Sequence, residues 1–525
     1  MPSISFPKEE LKRYLKKPIK DEELKEAMSM IGTDISSFEE EIKVEIFPDR
    51  PDQLSVQGLS RALNHFLGYT KGMDEYHVKK GDGVVKVLPS AKGVRPYTAC
   101  AIIRNLKYDD EKIKDVIEIQ EKLHITFGRN RRKIAIGIYP LEKITLPIAF
   151  GAENPKKIIF RPLESDEEMN AEEMLEEHPT GREYAHLLKG YKKYPVFRDA
   201  KKKVLSVPPI INSHDVGKIT EDTRDVFIEC SGHDLKPLRE ALRMIVCAMA
   251  DMGGTIESMT VDYGDKKITM PDLKPYKLRI DQHYVCERAG IPRKDLKKSL
   301  QLMGLQLEGD EVIIPAYRTD FIHQVDVVEE AAIGYGYNNI KSEVPALHTI
   351  GKLDNRNLFL EKIREVLSGL GLLEVMNYYI TDEGIKLENP LTQEYSALRR
   401  DITHQLLRVL EKNTSVTYPQ EIFDIGPVFH HDKEADTGVG EAWHLGAMMC
   451  GEEAGYTRAR RALEALGKAL GWKLTFSEHD DPRYIEGRCA KVSGSAHGII
   501  GEINPEELEK HGIQMPAASF EITLP

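Results

Sequence analysis

Four carboxylates gather in the segment YRTDFIHQVDVVEEAAIGYGY, residues 317–337, at Asp320, Asp326, Glu329 and Glu330. The apolar residues after Asp326 have the spacing of one helix face, and the two glycines that follow indicate its end. Asp326 is then the N-cap and Glu329 completes a capping box, which leaves Asp320 and Glu330 without a role. The alternative is a hard cation such as Mg²⁺, which takes carboxylates from a loop and the adjacent helix turn. Spacing alone leaves both interpretations open.

A second candidate site lies in DVFIECSGHDLKPLREALRMIVCAMADMGG, residues 225–254. The pattern predicts a buried strand, a polar turn and a long amphipathic helix. A helix N-terminus offers free backbone N–H groups to an anion or a polarised ester oxygen, and Ser213, His233 and Asp234 could line a pocket beside it. A structural interpretation also fits, in which Asp234 is the N-cap and His233 a surface residue. A serine hydrolase is disfavoured because the sequence has no GxSxG elbow.

Two local basic clusters stand out on an acidic chain. The formal net charge is −12, so a nucleic acid would have to bind to local patches. The first cluster contains Arg129, Arg131 and Arg132, which a solvated turn also explains. The second contains Lys192 and Lys193 among aromatic residues, a mixture on which single-stranded nucleic acid can stack.

Length and composition bound the class of protein. A chain of 525 residues is long enough for roughly three to five domains. The six cysteines are scattered without a CxxC pair, which argues against a zinc site and predicts buried thiols in a reducing compartment. No signal pattern and no run of about 18 apolar residues is present, so we expect a soluble, cytoplasmic protein with no membrane partner.

The order of strand-like and helix-like segments predicts an α+β, multidomain protein. The sequence suggests boundaries that give regions 1–85, 86–267, 268–345 and 346–525. The third region combines helices with a small hairpin, which is typical of a winged-helix-like module, and it carries the acidic motif. In the first region Arg50 and Asp52 fall in a proline-rich turn, where they could form a ligand pair or simply shape the turn.

Six motifs, taken in order, resemble the β subunit of phenylalanyl-tRNA synthetase in its shorter archaeal and eukaryotic form. They are FPDRPDQLSVQGLSRAL, SVPPIINS with GKIT, the acidic segment above, LRRDITHQLLRVLEKN, EIFDIGPVF and GEINPEEL. The resemblance implies an N-terminal α/β domain, a mixed α/β editing domain, the winged-helix-like domain and a C-terminal class II synthetase antiparallel sheet flanked by helices.

The resemblance also implies roles for individual residues. The four acids of the motif correspond to magnesium ligands, which makes Mg²⁺ the implied cofactor. Leu205, Ser213, Asp234 and the position of His233 correspond to an editing pocket, although His233 stands where a small hydroxyl residue is expected. The candidates for tRNA contact are Arg129, Arg131, Arg132, Lys192 and Lys193.

The implied activity is that of a ligase subunit in protein biosynthesis. The C-terminal region reads VFHHDKE, with His430 and His431, where a class II core has an ATP-binding arginine, and its final motif GIIGEINPEELEK contains no arginine. A neutral imidazole is a poor replacement for a bidentate phosphate clamp. We therefore expect a degenerate core, with ATP-dependent attachment of phenylalanine to tRNA(Phe) in an α subunit and an (αβ)2 tetramer.

Editing is expected because a hydrophobic pocket rejects one extra hydroxyl only roughly a hundredfold. The implied second activity of this chain is hydrolysis of mischarged tyrosyl-tRNA(Phe). Two alternatives remain open from sequence: a stand-alone tRNA-binding or editing factor, and a structural scaffold that does not edit.

Overall fold

A computed structural model describes residues 2–107 and 109–525 of the chain. The chain divides into two compact units, one ending at Val344 and one beginning at Pro345. Each unit mixes helices with several sheets, so the predicted α+β, multidomain class is confirmed. All six cysteines are free and buried, as predicted. No helix among the described residues is both long and apolar enough to cross a membrane.

The first unit begins with a small antiparallel sheet, in the order β1-β3-β2, covered by three helices. Its elements are β1 (Ser3–Pro7), α1 (Lys8–Tyr14), α2 (Asp21–Met30), β2 (Asp34–Phe38), β3 (Glu41–Glu45) and α3 (Val56–Phe66). Helix α3 begins where the sequence predicts it, because the Ser55 side chain accepts a hydrogen bond from the Gly58 backbone N–H. A 3-10 turn, Pro51–Gln53, precedes it.

The centre of this unit is a ten-stranded mixed sheet. Its path is β12-β11-β10-β7-β4-β14-β5-β13-β6, with β15 paired to β14. The elements of this region are β4 (Val78–Val87), β5 (Tyr97–Arg104), α4 (Asp110–Ile125), β6 (Ile134–Pro140), β7 (Ile148–Glu153), β8 (Ile159–Phe160), β9 (Met169–Asn170), α5 (Ala171–Glu177), α6 (Pro179–Tyr184), β10 (Tyr194–Arg198), β11 (Val204–Val207), β12 (Ile211–Asn212), α7 (His214–Gly217), β13 (Val226–Gly232), α8 (Leu235–Asp251), β14 (Thr255–Asp262) and β15 (Lys267–Met270).

Two features of this sheet bear on the candidate site. Strand β4 pairs in parallel with β14 and β7, so the region that the sequence placed before residue 85 already contributes a central strand to the large sheet. Strand β13 lies between β5 and β6, and all seven of its residues are buried. A charged residue in β13 is therefore a charged residue in the core.

The winged-helix-like module closes the first unit. It contains β16 (Tyr276–Arg279), α9 (Gln282–Ala289), α10 (Arg293–Leu302), β17 (Gln306–Glu308), β18 (Glu311–Ile314) and α11 (Gln324–Tyr335). The strands form a three-stranded sheet in the order β16-β18-β17, and the three helices share one apolar core. Helix α11 carries most of the acidic motif.

The second unit is built on a seven-stranded sheet in the order β19-β23-β24-β28-β27-β26-β25, antiparallel except for the β19–β23 pair. Its elements are α12 (Asn355–Gly369), β19 (Leu373–Glu374), β20 (Ile380–Thr381), β21 (Ile385–Lys386), β22 (Ala397–Leu398), α13 (Thr403–Lys412), β23 (Gln420–His431), β24 (Val439–Cys450), α14 (Tyr456–Leu470), β25 (Leu474–Glu478), β26 (Tyr484–Gly494), β27 (His497–Ile503), α15 (Pro505–Lys510) and β28 (Ala517–Thr523).

Both faces of this sheet are covered, because alternate residues of a strand point to opposite faces. Leu445, Ala447 and Met449 of β24 belong to the core under α12 and α14. Met448 and Cys450 of the same strand belong to the core under α13. The antiparallel C-terminal sheet flanked by helices is thus as the sequence predicts.

Candidate functional site

The acidic motif is organised around a buried arginine. Arg318 is only 2% exposed, and its Nε lies 2.9 Å from Asp320 Oδ1. Its Nη2 lies 2.7 Å from Glu330 Oε1 and its Nη1 lies 3.2 Å from Glu330 Oε2. Burial by itself would lower the pKa of Arg318, and the charges of Asp320 and Glu330 outweigh it, so that pKa lies well above its usual range. Two of the four acids therefore neutralise one buried cation.

The same network reaches the turn before α3. Arg50 forms a buried two-point ion pair with Asp52, at 2.9 Å and 3.0 Å, which explains the pair seen in the sequence. Arg50 Nη1 also lies 3.6 Å from Glu330 Oε1. Two motifs far apart in the sequence thus meet through Glu330.

The predicted capping of α11 is wrong in detail. The N-cap is His323, whose Nδ1 accepts a hydrogen bond from the Val325 backbone N–H at 3.3 Å. Asp326 is the N3 residue, and its Oδ2 accepts from the backbone N–H groups of Ile322 at 2.6 Å and His323 at 2.8 Å. The capping box therefore lies three residues earlier than the sequence suggests, because an imidazole nitrogen replaces the expected carboxylate.

Glu329 is left facing outward. It is exposed, and within the described residues it makes no hydrogen bond or ion pair. Burial, followed by the nearby charges of Asp49, Glu330 and Asp326, raises its pKa. The four acids do not form a finished cage: Asp320 and Glu330 hold Arg318 with both oxygens, Asp326 uses one oxygen for the helix start, and Glu329 is available to a cation.

A polar pocket of about 340 Å³ opens in the large sheet, among α4, β6, β13 and the turn between β11 and β12. Gln120, His124, Ser206, Asn212 and Glu229 are among the residues that line it. Of these side chains, that of Glu229 comes from the buried strand β13.

Glu229 is the unusual group of this pocket. It is 1% exposed, and its Oε1 lies 3.3 Å from the Tyr139 hydroxyl, which also lies 2.8 Å from Ser206 Oγ and 3.2 Å from Asn212 Oδ1. Its Oε2 has no hydrogen-bond partner among the described residues. Burial raises the pKa of Glu229 to about 8, against the opposing charge of Arg95. A neutral carboxyl group with one unpaired oxygen therefore lies at the wall of a cavity.

The predicted editing residues are placed in two groups. Leu205 and Ser213 are buried, and the Ser213 backbone N–H donates to the Leu205 carbonyl oxygen at 2.8 Å. They are the chain neighbours of the pocket residues Ser206 and Asn212. Glu229 was missed by sequence reasoning, although a single acid inside the apolar run VFIEC was a usable signal.

His233 and Asp234 lie in the turn after β13, and neither lines the pocket within the described part of the chain. Asp234 is the N-cap of α8, with its Oδ1 accepting from the Lys236 backbone N–H at 3.0 Å, as the structural interpretation proposed. His233 is exposed as a whole residue, but part of its ring is covered. This partial burial, followed by the nearby charge of Arg95, lowers the pKa of His233. At the start of α8 the Lys236 N–H is therefore occupied, and Pro237 has no N–H to offer.

The basic residues predicted to contact tRNA fall into a buried and an exposed group. Arg131 is held inside the structure: its Nη1 donates to the Ile210 carbonyl at 2.7 Å, its Nη2 pairs with Glu121 at 2.9 Å, and its guanidinium lies over the Tyr184 ring. These contacts make Arg131 a part of the pocket wall and a poor candidate for tRNA contact. The other four, Arg129, Arg132, Lys192 and Lys193, are exposed.

In the second unit the buried arginine is structural. Arg399 Nη1 lies 2.9 Å from Asp424 Oδ2, and its Nε donates to the Pro427 carbonyl at 2.8 Å. His430 and His431 lie exposed at the end of β23. Between β19 and β22, by contrast, large apolar side chains face solvent. They include Leu373 (67% exposed), Met376 (91%), Tyr378 (76%) and Leu391 (101%).

Comparisons with known proteins match both units. A family model of the phenylalanyl tRNA synthetase beta chain CLM domain matches residues 340–524, and a tRNA synthetase B5 domain model matches residues 278–337. The phenylalanine–tRNA ligase beta subunit of Thermococcus sibiricus is 35% identical over 100% of this chain and 98% of its own length. That of Pyrococcus abyssi is 37% identical over 100% and 99%.

A solved structure shares the fold of the first part of the chain. It is an N-terminal fragment of the phenylalanyl-tRNA synthetase beta subunit from Pyrococcus horikoshii, with 35% identity and a TM-score of 0.61. The match covers 64% of this chain and 99% of that fragment. The chain belongs to the family of phenylalanine–tRNA ligase beta subunits.

Proposed function

We propose that this chain supports phenylalanine attachment by an α subunit and itself hydrolyses tyrosyl-tRNA(Phe). The observation that carries the second activity is Glu229, a buried acid that lines the pocket and whose Oε2 has no hydrogen-bond partner among the described residues. A tyrosine hydroxyl that reaches this carboxyl group makes a hydrogen bond that phenylalanine cannot make. Leaving a buried polar group unsatisfied costs about 1–3 kcal/mol, which discriminates where a hydrophobic pocket cannot.

The hydrolytic step is assigned to water that attacks the ester carbonyl carbon at the tRNA 3′ end. The Leu235 backbone N–H, at the positive end of the α8 dipole, is the candidate for stabilising the developing oxyanion. Ser213, His233 and Asp234 are the candidates for orienting the water. Leu205 packs beside Ser213 and shapes the wall.

Aminoacylation itself is assigned to the α subunit, with ATP as its substrate. His430 and His431 supply no guanidinium at the ATP clamp of this core. The exposed apolar residues between β19 and β22 support a docking surface in an (αβ)2 assembly, because contiguous apolar patches on a soluble protein mark interaction sites. The working complex is then a cytoplasmic heterotetramer.

Magnesium is proposed at the acidic motif, in a family that is generally Mg²⁺-dependent. Glu329 and the second oxygen of Asp326 are the groups free to hold the ion. Asp320 and Glu330 belong to the same set of ligands, but they act chiefly through Arg318, which fixes the loop. A bound cation supplies positive charge that opposes the burial and the nearby negative charges that raise the pKa of Glu329.

The tRNA contacts are proposed for the exposed basic residues Arg129, Arg132, Lys192 and Lys193. They belong to the unit that contains the pocket, and exposed lysine or arginine contacts to phosphate give a salt-dependent affinity.

Phenylalanine attachment to tRNA(Phe) is expected only when this chain is co-expressed with a cognate α subunit. The assay compares this chain alone, the α subunit alone and the mixture. A complete class II site needs phosphate clamps that this core lacks, so the isolated chain should show no charging. Charging by this chain alone contradicts the assignment. Hydrolysis of tyrosyl-tRNA(Phe) by the isolated chain, with no charging in the mixture, indicates a stand-alone factor.

Glu229→Leu should lower kcat/KM for hydrolysis of tyrosyl-tRNA(Phe) at least tenfold, because a buried hydrogen-bonding partner of the substrate hydroxyl is lost.

Asp234→Ala should lower kcat for the same hydrolysis, and a wild-type rate would remove Asp234 from the site. Lys192→Ala should raise KM alone, and less so at higher salt, because the lost phosphate contact is itself weakened by salt. Charging by the reconstituted complex is the control for folding. Wild-type hydrolysis by Glu229→Leu refutes the pocket, and absent hydrolysis in the wild type indicates a scaffold.

The stability of wild type should fall relative to Glu229→Gln as pH rises from about 4.5 to about 8. The folded state holds the Glu229 proton with a pKa of about 8, whereas an unfolded glutamate has a pKa of 4.5. In that interval the unfolded state binds fewer protons, so stability drops by up to about 1.4 kcal/mol per pH unit. The difference in unfolding free energy between the two proteins is measured at several pH values. Parallel profiles would show that Glu229 is ionised in the fold.

Glu329→Gln should abolish magnesium retention at the motif without lowering the stability of the metal-free protein. Asp320→Asn should lower that stability by about 3–5 kcal/mol, because the buried Arg318 loses a paired charge. Metal content and Tm are measured on the reconstituted complex with and without a chelator. Unchanged magnesium in both variants contradicts the site.

A further inference from the structure

Three metal-ligating side chains meet in the second unit, away from every group used above. His404 lies in the first turn of α13, Glu507 lies in α15, and His511 is the residue that ends α15. One ligand atom from each lies within 4.8 Å of the other two. Because Glu507 and His511 are four residues apart around a helix end, they present their ligand atoms to the same side.

The His511 ring is already oriented as a metal ligand. Its Nδ1 lies 2.7 Å from Glu411 Oε2, a hydrogen-bonding distance. With its proton on Nδ1, the ring turns the lone pair of Nε2 toward Glu507 Oε1, 4.0 Å away. A carboxylate behind an imidazole is the usual outer layer of a metal site, because it fixes the tautomer and raises ligand basicity.

His404 completes the set. Its Nε2 is buried and forms no properly directed hydrogen bond within the described structure, although Glu383 Oε2 lies 3.2 Å away. The rings of His404 and His511 lie with their centroids 5.5 Å apart at 69°. A buried ring nitrogen without a partner is costly in a structure whose polar groups are otherwise paired, and a metal ion removes that cost.

We propose that His404, Glu507 and His511 bind a zinc ion. Two imidazoles and one carboxylate are a zinc donor set, whereas Mg²⁺ and Ca²⁺ prefer oxygen ligands alone. Bonds of about 2.0–2.1 Å at tetrahedral angles place ligand atoms about 3.4 Å apart. Movements of less than about 1 Å therefore close the site, and the fourth position stays open to water.

The ion adds a clamp between α13 and the end of α15, which packing and the His511–Glu411 hydrogen bond already join. Helix α13 covers one face of the seven-stranded sheet, and α15 connects β27 to β28. Glu507, together with the outer carboxylate Glu411, supplies the negative charge that balances a dication. The site is structural, and it is independent of the editing proposal because no residue is shared.

The test uses the full chain in its complex with the α subunit, stripped with a chelator and dialysed. We expect one zinc ion per chain by elemental analysis and a rise in Tm on adding Zn²⁺. Mg²⁺ should not bind to these three residues, so any change in Tm that it causes should be the same in wild type and His404→Asn. His404→Asn and His511→Asn should weaken zinc binding at least a hundredfold, and Glu411→Gln should weaken it about tenfold. The exposed His497 of the same unit provides the control, because His497→Asn should bind zinc as the wild type does.

Zinc that is absent from the wild type, or that binds equally to wild type and His404→Asn, overturns the proposal. Should the histidine variants fail to fold, Glu507→Gln decides the same point, because it removes the partly exposed carboxylate ligand and leaves both imidazoles in place. Zinc retained in full by that variant and unaffected by Glu411→Gln would refute the site.

Discussion

The first unit depends on one buried cation, the guanidinium of Arg318. A fully buried charge is tolerated only where paired charges and hydrogen bonds replace water, and Asp320 and Glu330 do this with four oxygens. Glu330 also faces Arg50, which Asp52 holds in turn. The winged-helix-like module is thereby fixed to the turn before α3 by ionic contacts whose loss would leave a bare charge in the core.

Glu229 shows the opposite use of a buried charge. It has no cation in direct contact within the described residues, so burial keeps its carboxyl group neutral near pH 7. A structural acid is paired, as Glu330 is, whereas an acid with an unpaired oxygen beside a cavity is held ready for a ligand. The contrast bears on why this buried strand contains a glutamate at its centre.

Much of the fold could be predicted from local pattern. Helix α8 begins at Asp234, as the structural interpretation of that segment predicts, because capping and the spacing of apolar residues are local properties. The start of α11 was misplaced because His323 is an uncommon cap. The boundary at residue 85 was misplaced because β4 pairs with β14, a partner that lies far along the chain.

Site residues were harder to predict because the groups that contact them also lie far along the chain. Arg131 sits in a run of arginines that looks solvated, and only the folded chain brings Glu121 and Ile210 to it. Likewise, His404 and His511 share no local motif, and a search for cysteine pairs could not find them. Most of what the sequence indicated about the sites came from the resemblance to a family. Such a resemblance assigns a role to a residue but does not show which groups the residue contacts.

The second unit retains a class II sheet because its packing is independent of its catalytic groups. The strands fill two cores through alternate residues, and Arg399 satisfies Asp424 and the Pro427 carbonyl inside the fold. Neither the packing of these two cores nor the contacts of Arg399 depend on a phosphate-binding group. The sheet therefore needs no ATP-binding group for its stability, and Met376 and Tyr378 remain exposed apolar residues near its edge.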